Sequence, residues 1–167
     1  MFSIKVSDLH WMEGGKPTED LCLHGNVIAM IGDEVLQYDH ATVSATALYL
    51  LKSTKENHEI RKSNQMLPCC GFFMIPNETL SKVEICGCPN GIDWSVLHEG
   101  NDVVLITEAG NRAVIPIDEY RKNVFAFADL IESFYSGADD KILPEDEFAR
   151  NGYVAFWNEW RALRYGI

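Results

Sequence analysis

Between residues 69 and 117 the chain alternates short β-branched and apolar runs with links too brief to hold a crossover, and this constrains the fold more than any other feature. Candidate strands fall at 70–75, 82–88, 93–98, 102–107 and 112–117. The links "PNET", "PNG", "EGN" and "EAGN" are rich in turn residues. Parallel neighbours need a connection of a dozen residues or more, so links of this length join antiparallel neighbours. The segment predicts a meander. Pro116 would forfeit a ladder hydrogen bond inside a sheet, which puts the last strand at an edge.

Upstream, 3–6 and 21–30 read as strands, and "GDE" turns the second into a short third strand at 35–38. A helix follows, with Val43, Ala47, Leu48 and Leu51 at helical spacing and Asp39 placed to cap it. The polar tail "STKENHEIRKSNQ" reads as an exposed helix end or loop. Downstream, "DEYRKNVFAFADLIESFYSG" puts Tyr120, Val124, Phe127, Ala128, Ile131 and Phe134 on one stripe, with Asp118 and Glu119 at its start and Gly137 at its end. "LPEDEFARNGYVAFWNEWRALRYG" starts a second helix at Pro144. Gly152 inside it costs roughly 1 kcal/mol, so either the helix breaks there or a neighbour packs close. Strands first and helices afterwards predict a single α+β domain over 1–167. It is an antiparallel meander sheet with one helix inserted after the N-terminal strands and two C-terminal helices packed on a sheet face.

A chain of 167 residues suits one domain with a sizeable core. Its formal net charge of −11 argues against a nucleic-acid partner and for a basic protein, a cation or a basic peptide, the plain alternative being a surface that only keeps the chain dissolved. The N-terminal stretch has neither a long apolar run nor a charged leader, so no export signal and no membrane span are expected. A cytoplasmic location with free thiols follows from that reading.

Four of the five cysteines lie in "LPCCGFFMIPNETLSKVEICGCPNGIDW". With the hairpin turn near Glu78 and partners summing to an odd number near 157, Cys69 faces Cys88, whereas an even register would exchange the partners. Cys69, Phe73, Glu84, Cys86 and Cys88 share one sheet face, and Cys70, Phe72, Met74, Val83 and Ile85 share the apolar other. Three thiols on one face invite a zinc reading with Cys22 or His24 as fourth ligand. The spacing opposes it: structural zinc takes C-x2-4-C knuckles, whereas Cys86 and Cys88 stand one residue apart on a strand and Cys69 and Cys70 point to opposite faces. A loop near "GCPNG" would relax that objection. A Cys69–Cys88 disulfide is within reach, and a reducing compartment works against its persisting. The thiols are expected mostly to pack as small apolar residues.

No nucleotide-binding glycine loop and no G-x-S-x-G occurs, and "HEGND" at His98 lacks the second histidine of a zinc protease. The reading therefore expects no catalytic residue, no cofactor and no metal ligand. Acids cluster twice: six between residues 93 and 119 against Arg112 alone, and five between 139 and 147 against Lys141 alone. Asp93, Glu99, Asp102, Asp139, Asp140 and Glu145 are the candidates for contact with a basic partner, as parts of a single negative patch. Trp157 and Tyr165 read as core-packing residues or as the rim of a partner surface.

The phrases "DLCLHGNV", "VSATALYLL", "LPCCGFFMI", "CPNGIDW", "YRKNVFAFADLIESFY" and "GYVAFWNEW" span most of the chain. They resemble small, soluble, uncharacterised bacterial proteins and the acidic α+β immunity proteins of polymorphic toxin systems. The resemblance implies a non-catalytic protein-binding protein that neutralises a toxin through an acidic surface, and it carries over no catalytic residue. Two alternatives of other classes stand beside it: a thiol- or zinc-dependent enzyme or metal-binding protein using Cys22, His24, Cys69, Cys86 and Cys88, and a structural or accessory domain.

Overall fold

The computed structural model describes every residue except Glu13, Ser63 and Phe72; the placement of Phe72 on the apolar hairpin face therefore lies outside the described residues. Among the described residues, eight strands and three helices follow in the expected order. β1 (Phe2–His10), β2 (His24–Ile31) and β3 (Glu34–Thr42) form an antiparallel sheet in chain order. The third strand runs well past 38. A bulge in β3 sets Asp39 and His40 opposite Asn26, between the Gly25–Ala41 and Val27–Tyr38 pairs, and the Asn26 side chain accepts the His40 N–H at 3.0 Å. Asp39 is thus a strand residue and caps nothing. Thr42 precedes α1 (Val43–Ser53) directly.

That helix is apolar all round because it is central. All its residues but Lys52 are buried, rather than a single stripe, and it lies against both later helices. α2 (Ile117–Gly137) packs on β1 and on the strands at 102–116; α3 (Glu147–Tyr165) packs on the hairpin at 73–86. The N-terminus of α3 falls three residues later than Pro144 suggests. Asp146 is the cap, and its carboxylate accepts the Ala149 N–H at 2.8 Å.

The expected meander divides in two. β4 (Phe73–Pro76) and β5 (Val83–Cys86) make a separate hairpin, while β6 (Trp94–Glu99), β7 (Asp102–Thr107) and β8 (Arg112–Pro116) make a three-stranded sheet with β8 at an edge. The chain after β5 leaves the hairpin to pair elsewhere: Ile92, ahead of β6, bridges Leu67, and Val96 within β6 bridges His58. In the hairpin Phe73 pairs with Cys86, two residues away from the expected register. A shift of two preserves the faces. Met74, Val83 and Ile85 are buried, and Phe73 is 65% exposed. Gly152 answers the second alternative posed for it: a Cβ there would run into the Met74 carbonyl, so α3 crosses β4 at backbone contact. Among the described residues no helix is long and apolar enough to cross a membrane.

Candidate functional site

The connection between α2 and α3 presents exposed acids and exposed large apolar side chains together. Lys141 places its ammonium 3.0 Å from the centre of the Trp11 ring and donates to the Pro17 carbonyl at 2.7 Å. Ile142 N–H donates to the Thr18 carbonyl at 2.8 Å, and the Tyr135 hydroxyl to the Leu21 carbonyl at 2.8 Å. These bonds tie the inner side of the loop to residues 11–21. Its outer side carries Asp139, Asp140, Glu145, Asp146 and Glu147, all exposed, with Ile142 57%, Leu143 40% and Phe148 51% exposed beside them.

A groove of about 400 Å³ opens next to this loop, lined by the acids Glu132, Asp139 and Asp140, the cations Lys141 and Arg161, and Tyr135, Leu143 and Trp157 among others, so acids exceed bases by one. Trp157 is half-buried and stacks edge-on against Tyr135 at 5.1 Å. Glu132 is held in place by the Trp160 indole N–H and the Tyr165 hydroxyl, which donate to its Oε2 at 3.1 and 2.7 Å. Carboxylates beside aromatic faces suit a cationic side chain with an aliphatic stem.

The other predicted acids do not join this surface. Asp93 is 2% exposed, and its Oδ1 accepts from His58 Nε2–H at 2.7 Å, Trp94 N–H at 3.0 Å and Met66 N–H at 3.1 Å. It is an internal fastener, because the chain turns inward ahead of β6. Glu99 lies 3.5 Å from Arg112, and Asp102 pairs with Pro116 beside the start of α2. The 21 residues of α2 separate that end from Asp139 by roughly 30 Å at 1.5 Å per residue. The expected single patch is therefore two.

The thiols also regroup. Cys69 and Cys88 form a disulfide, so the expectation of five free thiols fails at these two; compartment had argued against the bond, while both loops bring the residues together. Among the described residues, the group of three metal-ligand side chains whose donor atoms all lie within 4.8 Å of one another is Cys69, Cys70 and Cys88. Cys22, His24 and Cys86 stand outside it. Residues 69, 70 and 88 lie in loops, so strand alternation does not separate Cys70 from Cys69. Cys22 donates to the Gly71 carbonyl at 3.4 Å, and burial pushes its thiol up to about 12, with Asp20 adding to the shift. A thiol so hard to ionise is a poor nucleophile. His24 is 9% exposed, its Nδ1 has no hydrogen-bond partner among the described residues, and its ring lies 6.1 Å from that of His10.

Sequence reading missed the His58–Asp93 pair and the inclusion of Cys70. A second cavity, of about 480 Å³, is lined by Lys52, His58, Arg61 and Lys62. Lys52 is already committed to Glu159 at 3.2 Å and to the Val83 carbonyl at 2.7 Å, and Lys62 to Glu59 at 2.7 Å.

Fold and surface together define an acidic α+β protein with three small antiparallel sheets around a central helix. No family model, no curated protein and no solved structure matches the chain.

Proposed function

We propose that the protein is a non-catalytic protein-binding protein, and that it receives a basic segment of a partner protein at the groove between α2 and α3. The observation that carries this reading is the 139–148 segment, which carries five exposed acids and three exposed large apolar side chains, and of which Asp139, Asp140 and Leu143 line the groove together with Trp157. Apolar anchors ringed by charge are what a protein interface needs, the first for affinity and the second for steering. Neutralisation of a basic toxin, which the sequence resemblance implies, is one such role.

The test is kinetic binding to the protein encoded by the neighbouring reading frame. Leu143→Ala and Phe148→Ala, both at exposed positions, should raise the dissociation rate while leaving thermal stability within about 0.5 kcal/mol of the parent. Trp157→Ala should weaken binding by about 2 kcal/mol or more. Absence of binding to that product, or binding untouched by all three changes, would overturn the reading.

A further inference from the structure

The three clustered sulfurs sit where the chain enters and leaves the β4–β5 hairpin: Cys69 and Cys70 in the loop before it, Cys88 in the loop after it. Around a zinc ion with Zn–S bonds of ~2.3 Å, tetrahedral sulfurs stand about 3.8 Å apart. Two of these sulfurs are joined in the Cys69–Cys88 disulfide; once it is reduced they must separate to that spacing, while Cys70, whose sulfur lies within 4.8 Å of both, needs to close by about 1 Å at most. Cys70 is a free thiol, 8% exposed, and its Sγ accepts the Cys88 N–H at 2.9 Å. Such a bond holds a sulfur ligand in place, as hydrogen bonds around metal sites do. Gly87 permits it, since a Cβ there would collide with the Cys70 carbonyl. Cys88 also lines a cavity of about 380 Å³ that Arg61, Gln65 and Glu108 border, which gives a small ion and a reductant a way in.

We propose that Cys69, Cys70 and Cys88 form a redox-gated site for a thiophilic cation such as zinc, closed while the Cys69–Cys88 disulfide stands and open once a dithiol reduces it. The dithiol gives two electrons and two protons. The S–S bond breaks, Cys69 and Cys88 become thiols, and the reductant leaves as its own disulfide. Zn²⁺ then displaces a proton from each of the three thiols, and water completes a tetrahedral set. Thiolate donors select this class of ion over hard cations. The inference stands apart from the groove between α2 and α3, and it reverses the expectation of no metal ligand, which rested on a strand where the chain forms loops.

The experiment uses the full chain and cadmium as the probe, because cadmium–thiolate bonds absorb in the ultraviolet. Protein reduced with a dithiol, freed of it under nitrogen and titrated with Cd²⁺ should show a stoichiometric charge-transfer step, reversed by zinc in competition. The oxidised protein should show none. Cys69→Ser and Cys70→Ser should each lose the step, while Cys22→Ser and Cys86→Ser keep it. Circular dichroism of each variant separates loss of site from loss of fold; should Cys70→Ser unfold, the half-exposed Cys69 position decides. A reduced parent without the step, an oxidised parent with it, or a folded Cys69→Ser that binds like the parent would overturn the proposal.

Discussion

Asp93 shows how a side chain's surroundings decide its role. An acid beside a turn would ordinarily face water, yet this one turns inward and takes three donors on one oxygen. Two of those donors are buried backbone N–H groups at Met66 and Trp94, and a buried donor left bare costs about 1–3 kcal/mol. Asp93→Ala should therefore lower unfolding free energy by several kcal/mol in urea titrations, whereas Glu99→Ala, on the exposed turn of the same sheet, should change it by less than about 0.5 kcal/mol. His24 makes a second residue-scale case. Burial, reinforced by the nearby rings of His10 and His40 and opposed by Asp20, holds its imidazole below the ordinary histidine value. The unfolded chain then binds the proton more readily than the folded one. The stabilising contribution is fully present above about pH 6.5 and is lost as pH falls from there through the depressed folded value. The urea midpoint should drop below pH ~6.5, and His24→Gln should show a shallower drop. Equal pH profiles for the two proteins would refute this assignment.

At the scale of elements, Gly152 carries the contact that fixes α3 on β4. Any larger residue must push the helix off the Met74 carbonyl. Gly152→Ala gains helix propensity of about 1 kcal/mol, but overpacking of this kind costs about 1–3 kcal/mol, so a net loss is expected in thermal or chemical unfolding. A stabilised Gly152→Ala would mean that the two elements separate without cost. The same hairpin marks how far sequence reaches. Face assignment depends only on the parity of the register, and Met74, Val83 and Ile85 fall inside as alternation requires. The elements, their order and their antiparallel sense follow from local pattern and link length. The break between β5 and β6 does not, because Leu67 and His58, far back in the chain, take over pairing there. The His58–Asp93 bond and the approach of Cys70 to Cys88 are likewise products of loop paths that no local period encodes. Of the candidate site, the acids at 139–145 and Trp157 were legible as charge and aromatic clustering; the meeting of Asp139 and Asp140 with Trp157 in one groove depends on how α2 and α3 cross.

At the scale of the whole molecule, the net charge of −11 matters by where it sits. α2 keeps Glu99, Asp102, Asp118 and Glu119 near one end and Asp139, Asp140 and Glu145 near the other, about 30 Å apart. Fields from exposed charges fade over about 8–10 Å at physiological salt, so the two ends act as independent electrostatic sites. A basic partner that docks at the groove is steered by one end alone. Asp139→Lys, Asp140→Lys and Glu145→Lys combined should slow its association by about tenfold or more at low salt, within the range that steering contributes. The equivalent reversal of Glu99, Asp102 and Asp118 should leave the rate within about twofold, since those charges lie beyond the screening length from the groove. Raising salt should slow the parent and bring it toward the 139–145 variant, while dissociation changes little, because rim charges act mainly on encounter. Stopped-flow association at low and high salt, run on the parent and both variants, measures all of this at once. Equal slowing by the two triple reversals would mean that total charge, and not the 139–145 end, draws the partner in.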